Sequence, residues 1–204
     1  MVSQAERRQA TIAAILAAAR KRFAQKGFAE TTIDEIAQAG GVAKGAVYHH
    51  FSAKEEIFER VVDALMAEIA QAVPIAARAG KDPLDALSRG TQKYLSLIAE
   101  PGARRILLAD GPAVLGWEKV RNLDIHHFGR MLHVPVAALL HGRRKPREIE
   151  ALTHLLTGAL NEAALVTALA EDPAKAAREM AHAFRALLSG LLAPSTDGSE
   201  PSAS

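Results

Sequence analysis

The 204-residue sequence contains no cysteine. A disulfide scaffold, a thiolate zinc site and a cysteine nucleophile are thereby excluded. Aromatic residues are scarce, at 4%, and no apolar run reaches the roughly 18 residues that a membrane-spanning helix needs. The opening stretch "MVSQAERRQATIAAILAAARKRF" lacks the continuous apolar segment and small-residue cleavage site of a secretory signal. A cytoplasmic, reduced setting with no membrane partner is therefore expected. Neither β-strand alternation nor an internal repeat is visible. Catalytic fingerprints are missing too: there is no G-x-S-x-G, H-E-x-x-H, phosphate loop or dinucleotide-binding glycine pattern. An all-α enzyme using His126, His127 or Glu162 is the weaker alternative, and no metal or cofactor is expected.

Alanine and leucine are abundant, and both lose little entropy in a helix. The net charge of +2 hides an asymmetry. Residues 1–54 carry eight Lys/Arg against four Asp/Glu, whereas residues 55–204 carry seventeen against nineteen. A basic first quarter on a slightly acidic body suits a polyanionic partner.

Ile12, Ile15, Leu16, Ala19 and Phe23 recur at helical spacing within residues 7–26, and Gly27 is the natural stop. Next, "TTIDEIAQAG" offers Thr32 as N-cap and Glu35 three residues on, a capping box for a helix that runs to about Ala39. After "GGVA", a second short helix over about 44–50 carries "KGAVYHH". Two short helices joined by a glycine turn, behind a longer amphipathic one, are the signature of a helix-turn-helix. Ser52, with Glu55 as box partner, begins a long helix whose apolar face is Ile57, Phe58, Val61, Val62, Leu65 and Ile69, with a bend expected near Pro74. Further helices are expected at about 84–99, 102–109, 117–141, 146–171 and 173–192, with "DGPAVLG" (110–116) as a loop. The fold class is all-α.

A helix that enters the major groove must be slim where it approaches and carry donors for phosphates on its rim. Gly45 and Ala46 keep the leading end slim, and Lys44 reaches a base edge or a phosphate. Tyr48 and His50 present donors on stiff rings, and His49, on the next face, is placed to reach the groove or the other strand. Lys54 adds a charge beside the free amides of the next helix, and Thr31 and Thr32 offer a hydroxyl and an amide to the opposite strand. Phe51 plugs the junction with the long helix. The adjacent histidines do not form a metal site, because neighbouring helix positions point apart and no carboxylate lies one turn on.

The stretch "TTIDEIAQAGGVAKGAVYHHFSAKEEIF" resembles the DNA-binding signature of the tetracycline-repressor (TetR) family, and the likeness runs from Ile12 to Phe58. It implies a homodimer on a near-palindromic double-stranded operator, with Thr32, Lys44, Gly45, Tyr48, His50 and Lys54 at the DNA-contact positions. Ala46 stands where many relatives carry a polar residue. The resemblance also implies about nine helices: an N-terminal helix-turn-helix domain over 1–53, a ligand-binding and dimerisation domain over 54–193, and a tail, 194–204, of disordered composition. Helices at about 146–171 and 173–192 would pair with their copies. Tyr94, Trp117, His126, His127, Met131, Asn161 and Glu162 are the candidates to line a pocket for a small-molecule effector. For Asn161 and Glu162, which interrupt an apolar run, internal hydrogen bonding or contact with the partner subunit competes with ligand contact. His126 and His133 lie about 10 Å apart along a helix, too far to share an ion.

Overall fold

The computed structural model describes residues 3–192. Helix α1, Gln4–Lys26, opens on a capping box between Ser3 and Glu6 and buries Ile15, Ala18, Ala19 and Phe23. It stops at Gly27, whose φ of 85° is one that L side chains rarely adopt. Helix α2, Ile33–Ala39, starts on the Thr32–Glu35 box. It ends at Gly40, where an added Cβ would stand 3.3 Å from the Ala14 carbonyl oxygen, so α1 and α2 cross there backbone to backbone. Helix α3, Lys44–His50, buries Val47, and Phe51 is buried directly after it.

Helix α4, Lys54–Ala77, carries eight buried residues from Ile57 to Val73, more than a one-sided helix needs. It packs on α1, on α5 (Pro83–Ile98) and on α8 (Trp117–Leu140). One apolar core therefore runs from Ile15 through α4 to Ala181 without dividing at residue 54. A second cluster, including Leu87, Leu132, Val136, Leu156 and Phe184, fills the far end between α5, α8, α9 (Pro146–Leu169) and α10 (Pro173–Leu192).

Two local expectations are corrected. Ser52 lies one position outside the cap, which is Ala53. Its amide and hydroxyl therefore both donate to Glu56, at 2.7 and 2.8 Å, and not to Glu55. Residues 110–116 are not a loop: α6 (Pro101–Ala103), a π-helical turn (Arg104–Asp110) and α7 (Gly111–Leu115) follow one another without a break. Counted as one segment, they bring the helices to nine among the described residues. Pro74 and Pro135 sit inside α4 and α8, each giving up one backbone hydrogen bond without ending its helix. The tail expected to be disordered lies outside the described residues.

Candidate nucleic-acid interface

Val47 is the fully buried residue of helix α3, whose outer side is left uncovered. Lys44, Gly45, Tyr48 and His49 are exposed, with Tyr48 at 53%. A Cβ on Gly45 would meet nothing within 4 Å, so glycine here answers no need of this chain's own packing. Ala46 and His50 are half-buried. The His50 ring stands edge-on to His49, with centroids 5.0 Å apart, and its Nδ1 is buried without a partner. Lys44 forms a 2.7 Å ion pair with Asp34 on α2, and this contact raises its pKa. Among the described residues no group of three His, Asp or Glu is placed to hold a metal ion.

The flanking residues divide. Thr32 stays at the exposed start of α2, with its hydroxyl shared with Glu35. Glu35 in turn takes a 2.5 Å contact from Lys26, and that hydrogen bond leads the causes holding its carboxyl down to about 2. Thr31 is fully buried, and its hydroxyl donates to the Gly27 carbonyl at 2.7 Å, so it has none to offer DNA. Lys54 is likewise turned inward. Its ammonium donates to the carbonyls of Phe28 and Thr31, both at 2.8 Å, and lies 4.2 Å from the Phe28 ring centroid. It is a strut under the α1–α2 turn and not a free phosphate clamp.

That turn is also where the helical body takes hold. Asp110 accepts the Phe28 N–H at 2.8 Å, and Arg105 donates to the Gln25 carbonyl. An added Cβ on Gly27 would stand 3.2 Å from the same Asp110 oxygen. Phe28 completes a ring cluster with Phe23 and Phe58, with centroids 5.1–5.8 Å apart. Asp110 was not legible from spacing, because its partner is remote in the chain.

In the body, the pocket candidates separate by burial. Tyr94, His127, Met131 and Asn161 are half-buried, whereas Trp117, His126 and Glu162 are exposed, Trp117 at 66%, and line no interior pocket. Burial pushes the Tyr94 hydroxyl well above its ordinary pKa, and its ring meets Phe128 edge-on at 5.4 Å. His127 Nε2 lies 2.7 Å from Asp63 on α4. Asp124, absent from the candidates, belongs with them. Burial raises its pKa against the opposing pull of Arg121, Asn161 and His127. The signal that would have found it is register: Val120, Asp124, His127 and Met131 share one stripe of α8.

Similarity to known proteins follows the same geometry. Residues 84–191, more than half of the chain, match the family model described as the tetracyclin repressor-like C-terminal domain. Residues 15–61 match that of bacterial regulatory proteins of the tetR family. The chain is 42% identical over 60 residues to the HTH-type transcriptional regulator TtgR of Pseudomonas putida, a match that spans 29% of each chain. A crystal structure of a TetR-family regulator from Pectobacterium atrosepticum superposes with a TM-score of 0.75 at 29% identity, covering 93% of this chain and 97% of that one. RolR in complex with resorcinol shares the fold, with a TM-score of 0.66 at 18% identity over 97% of this chain and 99% of its own. No helix among the described residues is long and apolar enough to cross a membrane. With helix α3 bare on one side and more than half of its length matched by the C-terminal model, the chain belongs to the tetracycline-repressor family of DNA-binding transcriptional regulators.

Proposed function

We propose that the protein is a homodimeric repressor that grips a palindromic operator through α3 and lets go when a small molecule enters its body. The uncovered outer side of α3 carries this reading: Lys44, Gly45, Tyr48 and His49 are exposed on a helix whose opposite side buries Val47. Ala46, His50 and Thr32 border the same surface. Tyr48 and Lys44 supply phosphate contacts, and the slim Gly45–Ala46 end admits the helix to the groove.

The dimer would form through α9 and α10. Leu155, Leu165, Val166 and Leu169 are exposed on α9 at helical spacing around the small residues Gly158 and Ala159, and Leu187 is exposed on α10. Contiguous exposed apolar surface of this kind marks an association site. Glu162 lies on that same side of α9, which favours a subunit contact over a ligand contact for it. The effector would meet the polar groups Tyr94, Asp124, His127 and Asn161 beside Met131. That RolR is seen with resorcinol supports a small-molecule role for a body of this fold.

The test is retardation of a palindromic fragment from the gene's own upstream region by the purified protein. Affinity should fall steeply as salt rises, because phosphate contacts release counterions. Binding that ignores salt, or that fails on every genomic fragment, would overturn the reading.

A further inference from the structure

The first two turns of α1 lie exposed. Every residue from Ser3 to Ala10 is exposed, while the same helix is buried at Ile15, Ala18, Ala19 and Phe23. A helical stretch that is polar all round is usually held by i,i+4 charge pairs or serves to reach a partner. Here the first explanation fails. Arg8 has Gln4 one turn before it and Thr11 and Ile12 one turn after, and Arg7 has Gln4 and Thr11, so neither faces an acid along the helix. Neither guanidinium makes an ion pair or hydrogen bond among the described residues. Glu6, the one acid nearby, is committed to the amide of Ser3 at 2.6 Å.

Direction decides what these arginines face. Arg8 is one turn before Ile12, which packs against the core, and Ile12 leads on to Ile15 and Ala19. Arg8 thus occupies the inward stripe at the point where α1 has run past the edge of its domain. The edge it passes is the α2–α3 turn, since Ala14 and Ala18 are the residues against Gly40. Six residues of helix put Arg8 about 9 Å beyond that crossing. It therefore overhangs the side of the domain from which the recognition helix starts.

We propose that Arg8, with Arg7 beside it, contacts the phosphate backbone flanking the groove that α3 enters, extending each half-site outward. The inference rests on the DNA-binding reading above. The unpaired positive charge of the two arginines, on the end of α1 that runs past the α2–α3 turn, identifies duplex DNA as the occupant.

The experiment measures the affinity of the full-length dimer for an operator fragment and for an unrelated duplex across a salt series. Wild type is compared with Arg8→Gln, Arg7→Gln and the double variant. Each arginine counts twice per dimer, so each single variant should flatten the log K against log salt slope by about 2, equally on both duplexes. Melting temperatures should not move, because both side chains are exposed and neither guanidinium has a partner among the described residues. An unchanged slope in the double variant overturns the proposal. So does a loss confined to the operator, which would mean base reading, or a lowered melting temperature, which would mean an internal structural role. Failure of the wild type to bind either duplex would instead sink the DNA-binding reading itself.

Discussion

The carboxylate of Asp110 accepts the backbone N–H of Phe28 at 2.8 Å, across 82 positions of the chain. Asp110 ends a π-helical turn whose other end, Arg104, donates to the Ala168 carbonyl of α9 at 2.6 Å. The π turn is thus tied to the body at one end and to the α1–α2 turn at the other. Turns of this kind are rare and concentrate at functional sites.

Asp110→Ala should leave the Phe28 N–H without its charged acceptor, at a cost of about 2 kcal/mol, or about 4–8 °C in melting temperature. Operator affinity should fall as well, although Asp110 contacts no DNA, because α2 and α3 hang from the turn it holds. Calorimetry paired with a retardation assay checks both outcomes. An intact melting temperature would show that the latch contributes nothing.

Lys54 and Tyr48 should separate when each is replaced by alanine. Lys54→Ala removes two carbonyl contacts at 2.8 Å and the charge over Phe28, so stability should drop by about 2–3 kcal/mol. Tyr48→Ala, at a position 53% exposed, should keep stability within about 0.5 kcal/mol and weaken operator and random DNA alike. Denaturant melts alongside binding isotherms distinguish the two. A stable Lys54→Ala variant with weakened DNA binding would restore the phosphate-clamp role.

Features fixed by neighbours in the chain were legible before folding. The Thr32–Glu35 box and the stop at Gly27 depend on backbone within a turn, and both stand where spacing put them. Ser52 chose Glu56 over Glu55 because a residue just outside the cap must be reached from farther along. The "DGPAVLG" stretch looked like a loop because glycine and proline break helices, yet Pro112 is accommodated in the first turn of α7, directly after the π-helical turn. Thr31 and Lys54 were assigned to DNA by their place in the motif, but their polar atoms are consumed by a turn whose geometry only the folded chain reveals. His126 could have been set aside from phase alone, since it stands off the Val120–Asp124–His127–Met131 stripe, whereas Trp117 is in phase with that stripe and is exposed because it is the first residue of α8.

Leu155→Glu and Leu169→Glu should leave each subunit folded, because these side chains are 72% and 81% exposed. Placed in an apolar subunit contact, however, the carboxylates would have no partner. Sedimentation velocity should show monomers at concentrations where the wild type is dimeric. Operator affinity should then fall by about 10²–10⁴, the avidity lost when two half-sites are bound separately. Dimers that survive both substitutions would move the interface elsewhere.

Asp124→Asn should stabilise the protein at neutral pH. Burial raises the Asp124 pKa, so its neutral form is the one the fold prefers, although Arg121, Asn161 and His127 all pull towards the carboxylate. The buried Tyr94 hydroxyl nearby contributes no positive charge to offset it. A carboxyl whose folded pKa exceeds its unfolded value, about 3.9, supports folding fully below that value. That support is lost as pH rises through the folded pKa. At pH 7 the wild-type side chain is therefore a net cost that asparagine removes, and melting temperature should rise by a few degrees. Below about pH 4 the difference should vanish, since both side chains are then neutral. Thermal melts from pH 3.5 to 8 give the result directly. A variant less stable than wild type at pH 7 would show that the Arg121 and His127 contacts outweigh the cost of burying the carboxylate.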